Sequence, residues 1–179
     1  GIIDSENGYC FMGGALRYND DFYLRHSLYE RCPVRIVMEN DAKCAAMAEA
    51  TIGSLKDVED GFVLIFGTMI GGAFIKNHRL HRGRHFAAGE VSYINTGRAE
   101  MPMFSNVWGN RCGTSGLCRM YAQKKKLAPE SVDGIMVFEG VKRQEADAVE
   151  CLQQFTKEIA VQLFNIQTIL DPERFAIGG

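Results

Sequence analysis

Two stretches of this chain bring together residue types with chemical uses. In the first, Glu39-Asn-Asp41 lies between a β-branched run, Arg35-Ile-Val-Met38, and an alanine-rich stretch from Ala42 to Ala50 that stops at Gly53. That order reads as strand, polar turn and helix. It puts Asp41 beside the unsatisfied N–H groups of a helix N-terminus, where a carboxylate is stabilised by the dipole. There the carboxylate has two uses: to cap the helix, or to accept a proton from a bound hydroxyl as a general base. Residue spacing leaves both open. In the second stretch, Gly67-Thr-Met-Ile-Gly-Gly72 joins two apolar runs. Backbone N–H groups and the Thr68 hydroxyl would suit phosphate oxygens there, although a glycine-rich hairpin turn without a ligand looks the same in sequence. The pattern is neither a Walker loop, lacking Gly-Lys-Ser/Thr, nor a dinucleotide fingerprint, lacking G-x-G-x-x-G.

Other polar clusters have plainer readings. His78, His81 and His85 alternate with Arg79, Arg82 and Arg84, which reads as a solvated basic loop able to hold anions rather than as a metal cluster. Lys124-Lys-Lys126 reads as a helix C-terminus facing water. The six cysteines are dispersed along a chain long enough to form a core without staples, and are read as reduced thiols in a cytosolic protein.

The elements that must carry these groups follow from periodicity. A strand is expected over 35–38, a helix over 42–50, and an antiparallel hairpin over 61–75 whose first strand lacks alternation and so is buried on both faces. Residues 81–108, with Gly83, Gly89, Gly97 and Pro102, read as long loops of the kind that carry function. Helices are expected over 117–126, 131–139 and 144–170. In the last, Ala148, Cys151, Leu152, Phe155, Ile159, Leu163, Ile166 and Leu170 make an amphipathic stripe that Asp171-Pro172 ends, before a strand over 174–177. With 46% apolar and 23% charged residues and a net charge of −2, the composition is that of a globular domain with no basic excess for nucleic acid. No apolar run is long enough to span a bilayer. Both termini read as cut from a larger protein.

In order along the chain, Glu39-Asn-Asp-Ala-Lys-Cys-Ala-Ala-Met-Ala-Glu49, Leu64-Ile-Phe-Gly-Thr-Met-Ile-Gly-Gly72 and Ala88-Gly-Glu-Val91 resemble the ROK family of bacterial sugar kinases and sugar-responsive repressors. Gly1-Ile-Ile-Asp4 with Gly8 is similar to that family's Pro-Gly-x-Val-Asp segment, and Asp171 to Gly179 to its penultimate glycine-rich motif. The likeness covers residues 1–95 and 145–179. It implies an α/β, actin-like ATPase (ribonuclease-H-like) fold, a mixed sheet with flanking helices. Residues 1–32 would end an N-terminal lobe and 33–179 form a C-terminal lobe truncated at its C-terminus, a fragment inactive alone.

On that carry-over Asp41 is the general base of an ATP-dependent hexose phosphorylation, and Asn40 and Glu90 bind the sugar. Gly67, Thr68 and Gly71 bind ATP, Mg²⁺ bridges the phosphates, and Asp41 and the 67–68 bend share a cleft. The implied partners are a sugar, ATP and a second copy of the chain, without a membrane. Nucleic acid enters only through the alternative, a sugar-sensing transcriptional regulator whose DNA-binding domain lies outside this chain. Trp108 would stack on a sugar ring or pack under the loop.

The departures from the family pattern are specific. Its first phosphate motif, Asp followed by Gly-Gly-Thr, is not in the chain, and Met69 stands where the family has Gly, which implies a reshaped phosphate turn. The family's His-plus-three-Cys zinc site is degraded: Ser92 and Tyr93 occupy its Gly-His positions, Asn110 replaces the first Cys, Arg119 or Met120 replaces a sugar-binding Glu, and only Cys112 and Cys118 remain. Two thiols do not make a closed four-ligand site.

Overall fold

The computed structural model describes residues 1–97 and 104–179; Pro102, one of the expected loop-forming residues, lies outside them. The chain divides into two compact units. One comprises residues 1–63, 73–90 and 174–176, the other 64–72, 91–173 and 177–179. The division falls within three strands of a four-stranded sheet: β3 (Gly61–Phe66), β4 (Ile70–Lys76) and β6 (Arg174–Gly178).

The first unit opens with a two-stranded antiparallel ribbon of β1 (Ile2–Asp4) and β2 (Tyr9–Met12), with Ile3 opposite Cys10 and Asp4 opposite Tyr9. The Asp4 carboxylate closes the connection by accepting from the Glu6 and Asn7 amides at 3.0 and 2.9 Å, and Gly8 takes the left-handed conformation the reversal needs. Helix α1 (Leu24–Arg31) follows, then α2 (Asp41–Thr51). The expected strand at 35–38 does not form. These residues carry no ladder, and Val37 is 79% exposed, so its β-branched side chain has no surface to pack on and the backbone has no neighbour to complete a strand.

The sheet order is β5-β4-β3-β6, with β5 at Arg79–His81. Residues 61–64 of β3 are all buried, as the unbroken apolar run requires. Neighbouring strands β3 and β4 are joined by only three residues, a length that permits an antiparallel pair and no crossover. β4 and β5 pair antiparallel with Ile75 opposite Leu80, turning through Asn77 and His78 at positive φ, as two-residue hairpins demand. Phe62 lies between the rings of Phe74 and Phe175, with centroids 6.3 and 6.1 Å away.

The second unit is helical: α3 (Trp108–Cys112), α4 (Thr114–Lys125), α5 (Gly134–Lys142) and α6 (Ala146–Leu170). Helices α4, α5 and α6 enclose an apolar cluster that includes Leu117, Tyr121, Val137, Ala148 and Cys151. Every residue of the stripe expected on α6 is buried or half-buried. Asp171 ends that helix in a left-handed conformation before Pro172. α4 begins three residues earlier than periodicity suggested. α5 begins three later, because Pro129–Ser131 forms a separate 3₁₀ turn and Asp133 caps the helix by accepting from the Met136 amide at 2.8 Å. Among the described residues no helix is long and apolar enough to cross a membrane.

Candidate active site

In the first unit, the role of Asp41 turns on which residue caps α2. The cap is Asn40: its Oδ1 accepts from the Lys43 amide at 3.0 Å, and its Nδ2 donates to the Gly1 carbonyl at 2.9 Å. Asn40 is therefore buried and fixed from both ends of its amide, with one N–H of Nδ2 beyond that pair. Asp41 is the first helical residue and is exposed. Its Oδ1 accepts from the adjacent Ala42 amide at 3.0 Å, leaving the second oxygen for an external proton donor. Glu39 is turned inward, taking the Asn40 amide at 3.0 Å and the Arg82 guanidinium at 2.7 Å.

Glu90 ends the loop after β5. Burial pushes its carboxyl above the usual carboxylate range and the Asp41 charge adds to this, while Lys43 pulls it back. Asp41 is thus one of the charges that act on Glu90. Facing Glu90 is Lys43, whose side chain has no exposed surface and whose Nζ lies 3.9 Å from Glu90 Oε1. Burial lowers the Lys43 pKa, opposed by Glu90 and Glu39. Sequence reasoning passed over Lys43, but it left a signal. Lys43 lies one residue after Ala42 and three before Ala46, both buried, and a lysine on the buried side of a helix needs a partner. His78, His81 and His85 are exposed, as expected of a solvated loop, but Arg82 from the same loop is committed to Glu39.

In the second unit, Gly67 and Thr68 line a cavity of about 640 Å³ together with Thr114, Ser115, Arg119 and Asp133. Its size lies in the usual range for small-molecule sites. The Gly67 amide does not point into it as a bare donor, because it donates to the Met69 carbonyl at 2.9 Å. The turn is instead tied to the start of α4, where Thr114 N–H donates to Gly67 O and Ser115 Oγ to Thr68 O, both at 2.8 Å. The positive end of α4 thus opens beside the turn. Gly71 lies in β4 and does not line the cavity. Met69 is accommodated by Gly109, whose missing Cβ would come within 3.0 Å of the Met69 Cε. Trp108 is fully buried, its ring at 85° to that of Phe66, so it packs and is not a stacking platform.

The residues at the expected zinc positions do not fit that metal. Asn110 accepts from Arg119 through both its carbonyl and its Oδ1, Cys112 Sγ donates to Glu158 Oε2 at 3.0 Å, and Cys118 belongs to the apolar cluster. Burial and the Glu158 carboxylate push the Cys112 thiol up to about 12. Among the described residues no group of three or more His, Cys, Asp or Glu is placed to hold a metal ion.

Comparison with known proteins gives this arrangement its context. The chain is 32% identical over 180 residues to the β-glucoside kinase of Listeria monocytogenes and 33% identical over 181 residues to that of Klebsiella pneumoniae, matching all of this chain and 61% of each of those proteins. The solved structure of protein Lmo2764 from Listeria monocytogenes superposes with a TM-score of 0.90 at 31% identity, over 100% of this chain and 62% of that one. The fold is thereby an α/β fold of the actin-like ATPase class. The ROK family profile matches residues 1–179, and the chain belongs to the ROK family. It spans about three fifths of the length of the curated relatives it matches.

Proposed function

We propose that this chain carries the catalytic base and part of the nucleotide site of a sugar kinase, which phosphorylates a hexose or hexose derivative with ATP. The observation that supports it most is the division of labour at the start of α2: Asn40 takes the capping role, so the exposed Asp41 carboxylate is not needed to hold the helix. Asp41 accepts the proton of the sugar hydroxyl as the new O–P bond forms. The remaining Asn40 N–H and the Glu90 carboxylate bind sugar hydroxyls, a mixed set that matches groups which both donate and accept. The whole-chain relatives named as β-glucoside kinases favour a glucose-type acceptor.

The residues around the 640 Å³ cavity include donors for phosphate oxygens, the hydroxyls of Thr68 and Thr114, the Arg119 guanidinium and the N-terminus of α4, beside the carboxylates of Glu130 and Asp133. ATP with Mg²⁺ would supply the electrophilic phosphoryl group when bound. The test is an ADP-release assay of the full-length gene product against a hexose panel, with Asp41→Asn alongside. Asp41→Asn is expected to retain sugar binding and lose roughly two to four orders of magnitude in kcat. Unchanged turnover in that variant removes Asp41 as the base.

A further inference from the structure

Lys43 stands out because nothing about a helix requires a lysine there. Its side chain has no exposed surface, on a helix face otherwise built of Ala42 and Ala46. Lysine is almost never so buried without a partner. Its ammonium has three protons to place. One goes to the carbonyl of Phe86. That residue sits in a loop whose backbone is left-handed at Gly83, Phe86 and Gly89, and a phenylalanine in that conformation persists only where surrounding contacts hold it. The ammonium also faces Glu90 Oε1 at 3.9 Å, close enough for charge attraction and too far for a hydrogen bond. Glu90 Oε1 is itself buried and accepts no hydrogen bond, although buried carboxylate oxygens are normally satisfied.

We propose that Lys43 is a positioning residue: from inside α2 it sets its ammonium against the Glu90 carboxylate and fixes the loop that carries it, so that Oε1 is presented vacant to a donor on the substrate. This rests on the sugar-kinase reading for the nature of that donor. With the positive charge already supplied by Lys43, the vacant oxygen favours a neutral hydroxyl over an ammonium or a metal ion, since a second cation would be repelled by the first. The pair thus selects an uncharged polyol. The other charged groups that face it are Glu39 and Arg82, toward Lys43, and Asp41, toward Glu90; none of them donates a hydrogen bond to Oε1.

The experiment uses the full-length gene product as wild type, Lys43→Met, Lys43→Arg, Glu90→Gln and the Lys43→Met/Glu90→Gln double variant. The first readout is NMR titration of the Glu90 side-chain carboxyl, which needs no substrate. Its midpoint is expected to rise by roughly one pH unit or more in Lys43→Met, the direction set by loss of a nearby cation, and an unmoved midpoint overturns the proposal. Should Lys43→Met fail to fold, the converse is read in Glu90→Gln, where the Lys43 ammonium must titrate lower than in wild type; an unchanged Lys43 midpoint is equally fatal.

The second readout is kinetic. Lys43→Met is expected to raise the sugar KM by roughly tenfold or more with the ATP KM unchanged, Lys43→Arg to restore part of the loss, and the double variant to be little worse than Glu90→Gln alone, as residues acting through one another are not additive. Additive losses would make Lys43 a loop fastener only. If the wild type phosphorylates no sugar while the Glu90 midpoint moves as stated, the kinase reading fails and the Lys43–Glu90 assignment stands.

Discussion

Gly113 joins α3 to α4 beneath the 67–68 turn, and replacing it with alanine tests how that turn is held. Its φ of −71° and ψ of 169° are open to any residue, so alanine meets no backbone strain there. The obstacle is space. An added Cβ would overlap the Thr68 carbonyl oxygen and come within 2.8 Å of both Gly109 O and Met69 Cα, all backbone atoms that cannot rotate away. The same carbonyl accepts from Ser115 Oγ, and Thr114 N–H holds Gly67 O, so pushing the turn outward stretches both bonds. Overpacking of this kind costs about 1–3 kcal/mol, offset by about 0.4–1 kcal/mol from the stiffer unfolded chain.

Gly134→Ala is the matched control. Its Cβ meets only Thr114 Cγ2 at 3.4 Å, at the first position of α5, so the substitution is neutral or stabilising by up to about 1 kcal/mol. In urea unfolding of the full-length gene product, Gly113→Ala is therefore expected to lie about 1–3 kcal/mol below Gly134→Ala. Its KM for ATP should rise while sugar binding is kept. Equal unfolding midpoints for the two variants would refute the claim that the turn rests directly on Gly113.

Two further outcomes concern the cysteines. In the native protein a thiol-alkylating reagent at neutral pH is expected to label Cys32 and Cys44, which are exposed, and to spare Cys10, Cys112, Cys118 and Cys151, which are buried, as read by peptide mass spectrometry; rapid labelling of Cys112 would contradict its protonated, enclosed state. Because the Cys112 pKa is raised on folding from 9.0 to about 12, the folded state keeps a proton that the unfolded state releases. The stabilisation is present below pH 9.0 and lost as pH rises toward about 12. Cys112→Ser, which keeps a donor for Glu158, should flatten that alkaline decline in stability relative to wild type.

Much of the fold was legible because its elements announce themselves locally. The α6 stripe repeats over about six turns, β3 is an unbroken apolar run, and Gly53 and Pro172 mark helix ends. The misreadings came where the decisive partner is distant in sequence. Residues 35–38 have the composition of a strand and lack a neighbour to pair with. Helix α1 escaped notice because its residues, Leu-Arg-His-Ser-Leu-Tyr-Glu-Arg, show little apolar periodicity and none of them is buried. At the site, the helix start at residues 40–41 was legible. The assignment of the cap to Asn40 rather than Asp41 depends on side-chain geometry, and the hold of α4 on the Gly67 turn depends on residues 47 apart.

The segment where the family pattern leads one to expect zinc is held by direct bonds among its own residues. A closed zinc site gathers four ligands on one centre. Here the same stretch is tied pairwise: Ser92 Oγ bonds both the amide and the carbonyl of Ile70, Asn110 is held by Arg119, and Glu158 on α6 receives Arg111 at 2.8 Å and the Cys112 thiol at 3.0 Å. Each bond is worth little alone. Gly109 ties this stretch to the turn at residues 67–69, since its missing side chain leaves room for both Ser92 and Met69. Met69 and the replaced zinc ligands thus look like two separate departures in sequence, yet they meet at Gly109, where a methionine in the turn packs beside the hydroxyl that stands in the former metal motif.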